Sequence, residues 1–182
     1  MPRFCSFCGS AIGVQAPVVC ANCGCEHWLR ASRAAAALVV HDGRLLLTRR
    51  AHDPWSGRWC APSGFCDGPE HPLEAAVRET FEEVGLEVRL TGYLGHWVDE
   101  YVPGKDDGTD PQYCAVSYYH AVPCRGLGLR NQPGEVAEAA WFLPEELPAD
   151  LAPPVNGARI YAAWIDALRE GRLVTPLPDA ES

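Results

Sequence analysis

The stretch from Gly64 to Leu86 constrains this chain more than any other part of it. Pro72 and Gly85 mark the two ends of a run in which Leu73, Ala76, Val77, Thr80 and Val84 recur at helical spacing. That pattern predicts a helix over 72–84. Pro72 near its first position lacks only a donor that would be orphaned anyway, and Gly85 supplies the residue just past its end. Glu79, Glu82 and Glu83 stand at i, i+3 and i+4 and share one face of this helix. At about 100° per residue that face lies roughly opposite the apolar stripe, so one side should pack while the other presents three carboxylates. On an exposed helix like charges at this spacing repel by roughly a few tenths of a kcal/mol each, so three glutamates alone need be no more than a solvated acidic face.

Their surroundings argue for more. Gly64, Glu70, Arg78, Glu79, Glu82, Glu83, Gly85 and Leu86 complete the pattern G-x5-E-x7-R-E-U-x-E-E-x-G-U, where U is a bulky aliphatic residue. At usage of roughly 5–7% per residue type, seven fixed identities recur by chance on the order of once in a million such chains. The segment resembles the Nudix box over its whole length, departing only at Thr80, which stands where an aliphatic residue is usual. The resemblance implies an α/β fold, an α/β/α sandwich around a mixed sheet. It implies hydrolysis of a pyrophosphate linkage by water that a bound Mg²⁺ or Mn²⁺ activates. Glu79, Glu82 and Glu83 would be the metal ligands, with a backbone oxygen of Ser63 or Gly64 added where the loop meets the helix. Clustered carboxylates suit these hard cations, which prefer oxygen ligands and retain some water. Arg78 would hold the carboxylates in position, pairing with Glu74 or Glu82, and Glu70 would anchor the arrangement from behind. In many family members a glutamate outside the box activates the water; here Glu138, or Glu135, just before the Trp141-Phe142 strand, is the candidate.

A second cluster lies at the N-terminus. Cys5-x2-Cys8 and Cys20-x2-Cys23 present two C-x-x-C pairs, each followed by a glycine suited to a knuckle turn, Gly9 and Gly24. Two such pairs complete a closed, tetrahedral, structural zinc site, with no open position for substrate. Cys25 and His27 lie close enough in sequence for one of them to replace Cys23. Cys60, Cys66, Cys114 and Cys124 have no such spacing and read as core or surface thiols. Residues 1–30 are short of core-forming side chains and need such a staple. The expected organisation is therefore a zinc ribbon over 1–30, the catalytic domain over 34–172 and a flexible tail over 173–182. A ribbon ahead of such a domain resembles NADH pyrophosphatases and the smaller ribbon-bearing pyrophosphatases that act on FAD or ADP-ribose. The S-Q-P-W-P-F-P motif of the NADH enzymes has no match in Trp97-Val98-Asp99-Glu100-Tyr101-Val102-Pro103, so the shorter ribbon family fits better.

Around the helix, Ala35–Val40 and Arg44–Thr48 flank a His41-Asp42-Gly43 turn and predict a β-hairpin. A loop should follow through Pro54, Ser56 and Gly57 to Pro62-Ser63-Gly64. Strands are expected near 86–98, 113–122 and 139–142, and a closing helix over 154–169. The turn-rich segment Pro103 to Pro111 reads as mobile. Arg49, Arg50 and Arg58 are candidate phosphate contacts, and Trp55, Trp59, Trp97, Tyr101 and Tyr118 candidate stacking platforms for a base, though surface arginines and core aromatics are the commoner roles.

The formal net charge of −9 argues against bulk nucleic-acid binding but leaves room for a small nucleotide bridged by metal. No run is long and apolar enough for a signal peptide or a membrane span, and the paired cysteines suit a reducing, cytoplasmic setting. The expected substrate is a nucleoside diphosphate joined to another moiety, of the FAD, ADP-ribose or NADH class. Leu46-Leu47-Thr48-Arg49-Arg50-Ala51 resembles part of the coenzyme A pyrophosphatase signature, but Trp55 stands where that signature needs arginine. The alternatives are clean-up of oxidised nucleoside triphosphates and a non-catalytic nucleotide sensor. The intact carboxylates and the lack of a basic helical module speak against the sensor. By resemblance alone, a homodimer is the assembly to test.

Overall fold

The computed structural model describes residues 4–13, 17–28, 30–102 and 111–174. In chain order the elements are β1 (Val18–Val19), β2 (Glu26–His27), β3 (Ala31–His41), β4 (Arg44–Arg50), β5 (Trp59–Cys60), β6 (Ser63–Phe65), α1 (Pro72–Val84), β7 (Val88–Val102), β8 (Gln112–Pro123), β9 (Val136–Phe142) and α2 (Gly157–Arg169). A 3₁₀ turn, Pro144–Glu146, follows β9. Strands β1 and β2 pair by themselves; the other seven form one sheet ordered β5-β4-β3-β8-β7, with β6 also on β3 and β9 also on β4. The α/β class read from the sequence holds: a mixed sheet with helices against it. By compactness the chain divides into residues 1–32 with 100–114, and residues 33–99 with 115–182.

The predicted hairpin forms around a two-residue loop, with Val40 opposite Leu45 and His41 opposite Arg44. Asp42 and Gly43 both have positive φ (47° and 73°), the left-handed pair that matches the twist of the flanking strands. Ala34 to Val39 is buried without a break, so β3 is covered on both faces. One alternating set, Ala35, Ala37 and Val39, joins Leu46, Tyr119 and Ala121 from the sheet and Ala75, Ala76 and Val84 from α1 in one core. At α2, Ile160, Trp164 and Ala167 are fully buried, and the Tyr161 hydroxyl accepts the Ala61 N–H at 2.8 Å.

Helix α1 has the predicted ends. Gly85 closes it at φ 70° and donates its N–H to the Phe81 carbonyl. At the start, His71 caps the helix: its Nδ1 accepts the Leu73 N–H, and Glu74 reaches back to the His71 N–H at 3.1 Å.

Several expectations need correction. The stretch read as loop up to Gly64 contains β5 and β6, which are too short to show a periodicity of two. The closing helix starts at Gly157 rather than Pro154, because residues 153–156 form a turn in which the Asn156 side chain donates to the Val98 carbonyl and to Asp99. The segment Pro103 to Pro111, except for Pro111, lies outside the described residues, as does the tail from Thr175. Among the described residues no helix is long and apolar enough to cross a membrane.

Candidate active site

The carboxylate face of α1 does not stand free in solvent as the helical count suggested. Glu83 is only 8% exposed. Its Oε2 accepts the Thr48 hydroxyl of β4 at 3.1 Å and its Oε1 accepts the Ser63 N–H of β6 at 3.3 Å. The physical reason lies in the wheel itself: Glu83 follows Thr80 by three residues, about 60° round the helix, and so flanks the apolar stripe instead of opposing it. Burial raises its pKa to about 8 despite these two donors, and the neighbouring Glu79 charge adds to the rise.

Glu79 lies one turn earlier and is also largely covered. It packs so closely on β6 that a Cβ added at Gly64 would collide with its carboxylate. Burial raises its pKa too, opposed by Arg78. Glu82 is the outermost of the three, with its side chain 47% exposed. Ser63 and Gly64 thus touch Glu83 and Glu79 respectively, while their ladder partners on β3 are Ala36 and Ala35. The structure therefore brings Ser63 to Glu83 and Gly64 to Glu79, and joins Glu82 to Glu79 through Arg78.

Arg78 ties the group into one unit. Its Nε and Nη2 form a bidentate pair with Glu70, both at 2.8 Å, and Nη2 also donates to the Phe65 carbonyl. Its Nη1 donates to Glu79 at 2.7 Å and to Glu82 at 2.9 Å. The expected Glu82 partner is present; the alternative, Glu74, is instead engaged in the N-terminal cap. Glu70 in turn accepts the Asp67 N–H at 2.9 Å. The Arg78 guanidinium, helped by that N–H, holds the Glu70 carboxyl down at about 2, so this anchor keeps its charge.

At the N-terminus, two knuckles repeat one geometry. Gly9 donates to the Cys5 carbonyl at 2.9 Å and Gly24 to the Cys20 carbonyl at 2.8 Å, and both glycines need a positive φ (74° and 73°) to do so. Cys5 and Cys23 sulfurs are 3.5 Å apart, Cys8 and Cys20 sulfurs 3.6 Å. Four thiolates around one zinc at about 2.3 Å would stand roughly 3.7 Å from each other, so the set is compatible with a tetrahedral zinc site.

The family model for the NUDIX domain matches residues 31–164, most of the chain. The chain belongs to the NUDIX family. Among curated relatives it is 29% identical to the NAD-capped RNA hydrolase NudC of Chromobacterium violaceum, over 92% of this chain and 60% of that protein. It is 28% identical to the NudC of Stutzerimonas stutzeri, over 97% of this chain and again 60% of the other. The chain therefore spans about 60% of the length of these relatives. Among solved structures, a NUDIX hydrolase from Nitrosomonas europaea shares the fold with a TM-score of 0.69 at 22% identity, covering 96% of this chain and 97% of that one. The NUDIX domain of Shewanella oneidensis NrtR, solved with ADP ribose, aligns with a TM-score of 0.56 at 18% identity, over 76% of this chain and 89% of that one.

The other candidate residues of this Nudix domain fall less tightly around the carboxylates. Glu138 on β9 faces Arg49 on β4, with 3.8 Å between their charged groups, and both are exposed. Glu135 acts electrostatically on Glu79. The three arginines brace loops: Arg49 donates to the Gly57 carbonyl, Arg50 to Pro54 while lying over the Trp55 ring, and Arg58 to Leu151. Trp59 is buried edge-on against Phe142, and Trp97 meets the buried Tyr118 at 84°. The sequence reading missed Thr48, whose hydroxyl fixes Glu83. A threonine among the leucines and arginines of β4 was its only signal.

Proposed function

We propose that this chain hydrolyses the pyrophosphate linkage of a nucleoside diphosphate joined to another moiety, of the FAD, ADP-ribose or NAD(H) class, releasing a nucleoside monophosphate in the cytoplasm. One observation carries this reading: Glu83 is fixed from two strands beside Glu79, with Glu82 gathered to them by Arg78. Buried carboxylates with raised pKa values suit a site completed by a divalent cation. Mg²⁺ or Mn²⁺ would be held by Glu79, Glu82 and Glu83, with a backbone oxygen of Ser63 or Gly64. Bound there, it would neutralise the diphosphate and lower the pKa of a water.

The chain's own residues do the rest. Thr48 and Ser63 fix the orientation of Glu83, and the Glu70–Arg78 pair holds Glu79 and Glu82 in register with it. A proton acceptor is needed for the attacking water, and Glu135 and Glu138 are its candidates. Glu138 faces Arg49 across the β4–β9 pair, and Glu135 stands just before the same strand. The NAD(H) class gains support from the two NudC relatives named above, the ADP-ribose class from the ligand of the NrtR domain. The N-terminal unit would carry a structural zinc on Cys5, Cys8, Cys20 and Cys23.

The test incubates the full chain and Mg²⁺ with NADH, ADP-ribose, FAD, coenzyme A and oxidised nucleoside triphosphates, followed by chromatography. The expected result is AMP from one or two dinucleotide-like substrates, lost in Glu83→Gln. Turnover confined to the oxidised triphosphates would move the function to nucleotide clean-up, and no turnover at all would overturn the enzymatic reading.

A further inference from the structure

Two residues of the N-terminal unit remain outside the four-thiolate set and outside any role given so far. Cys25 and His27 are separated by one residue at the start of the second half of the β1–β2 pair, with His27 on β2 opposite Val18. In an extended strand, residues two apart point to the same face. Both converge on Cys5: one ligand atom from each of Cys5, Cys25 and His27 lies within 4.8 Å of the others. Neither belongs to the cluster of Cys5, Cys8, Cys20 and Cys23. Two sets of donors therefore meet at one shared sulfur.

His27 is the more telling of the two. It is 7% exposed, and its Nε2 is buried with no hydrogen-bond partner. A buried imidazole nitrogen without a partner carries an uncompensated desolvation cost. A cation beside it would remove that cost, and a neutral imidazole next to two sulfurs is a donor set that thiophilic ions favour.

We propose that the ribbon holds a second metal position, formed by Cys5, Cys25 and His27, beside the four-thiolate position, with the Cys5 thiolate bridging the two ions. The ligands fit a d¹⁰ ion such as Zn²⁺. The second position differs from the first in kind. It has three protein ligands, so a fourth coordination place is left to water or an external thiol, and its ion exchanges faster than that of the closed set. Charge supports occupancy: the four-thiolate set with one Zn²⁺ keeps two negative charges, and a second Zn²⁺ with the Cys25 thiolate brings the pair to one. The proposal rests on zinc binding by Cys5, Cys8, Cys20 and Cys23, and the experiment separates the two claims.

The full chain is loaded with Zn²⁺, freed of loosely held metal and weighed by native mass spectrometry with parallel elemental analysis. Two ions per chain are expected for the wild type, and one for Cys25→Ser and for His27→Ala. One ion in the wild type would overturn the second position and leave the ribbon standing. No ion would overturn both, and two ions persisting in both variants would put the second ion elsewhere and overturn the assignment. Cadmium-113 NMR of the loaded wild type gives a check that needs no variant to fold. Two resonances are expected, one typical of four thiolates and one shifted by nitrogen ligation; a single four-thiolate resonance at saturation would overturn the proposal.

Discussion

The Thr48 hydroxyl on β4 donates to Glu83 on α1 at 3.1 Å, so a strand residue outside the acidic motif sets the angle of the most deeply buried carboxylate within it. Glu83→Gln keeps the size of the side chain and can accept the Ser63 N–H while its amide turns to Thr48. The fold of the metal-free protein should therefore survive with a nearly unchanged Tm below about pH 8, where the buried Glu83 already holds its proton, and with a higher Tm above it, where a buried charge is removed. Loss of a metal-binding charge should lower kcat by about 100- to 1000-fold, on the scale of losing one preorganised electrostatic contact. Steady-state kinetics alongside calorimetric melting would check this; near-normal turnover with Mg²⁺ would remove Glu83 from the metal site.

Thr48→Val separates orientation from charge. Valine fills the space but leaves Oε2 of Glu83 one donor short, which should weaken Mg²⁺ binding and lower kcat/KM by roughly 10-fold, the worth of about one hydrogen bond to a charged group. Thr48→Ser should restore most of the loss. If valine and serine behaved alike in Mg²⁺ titrations, the hydroxyl would have no positioning role.

Gly64→Ala tests the packing of β6 against α1. A Cβ there would strike the Glu79 carboxylate, which could move away only by giving up its 2.7 Å bond from Arg78. Activity should fall by an order of magnitude or more, as expected when a reacting geometry is misplaced by about 1 Å. Stability should fall by only about 1–3 kcal/mol, the ordinary range for overpacking. Denaturant melts and kinetics on the same preparation would show whether function falls further than stability.

The sequence disclosed the ends of α1 because Pro72 and Gly85 act locally, through a missing donor and a left-handed φ. It disclosed the candidate ligands Glu79, Glu82 and Glu83 because their spacing is a property of one helix. It could not disclose their depth. Whether Glu83 faces water or lies beneath β4 and β6 depends on where Thr48 and Ser63 arrive from other parts of the chain, and two- and three-residue strands leave no pattern to read. His71 escaped notice as a cap because histidine is not among the usual capping residues, although Glu74 three positions on was the readable half of that motif. The ribbon knuckles were legible for the reason α1 was: each is closed by a glycine next to its own cysteine pair.

A pH dependence follows from the buried carboxylates. In the metal-free protein Glu83 titrates near 8 against 4.5 for an ordinary glutamate, so between these values the folded state holds a proton that the unfolded chain has released. Its contribution to stability is complete below 4.5 and is lost as pH rises through about 8; Glu79 and Asp99, both raised by burial, act in the same direction. Divalent metal must displace that proton. Mg²⁺ affinity should thus rise with pH towards 8, and binding at pH 7 should release protons. Titration calorimetry in two buffers of different ionisation enthalpy would measure the release, and Glu83→Gln should abolish most of it. Mg²⁺ affinity independent of pH between 6 and 8 would contradict the assignment.

Two cysteines of opposite setting, Cys20 in the ribbon and Cys124 outside it, give a controlled comparison. Cys20 is 1% exposed, sits in the second knuckle and lies 3.6 Å from the Cys8 sulfur, whereas Cys124 is exposed and belongs to neither cysteine set. A segment with so few buried apolar side chains depends on its metal, because the free energy of binding zinc is also the free energy of folding the site. Cys20→Ser should therefore release zinc from the closed set and expose residues 1–30 to proteolysis. Cys124→Ser should leave zinc content and melting unchanged. The proposed metal ligands lie on β6 and α1 and the candidate bases on β9 or just before it, all outside residues 1–30, so the Cys20 variant should retain Mg²⁺-dependent hydrolysis at low temperature, after its zinc is gone. Zinc released by a chromogenic chelator, limited proteolysis and residual turnover would be followed together. Equal zinc content in the two variants would refute the structural role of the four cysteines, and loss of zinc with loss of all turnover would show that the ribbon is needed for catalysis.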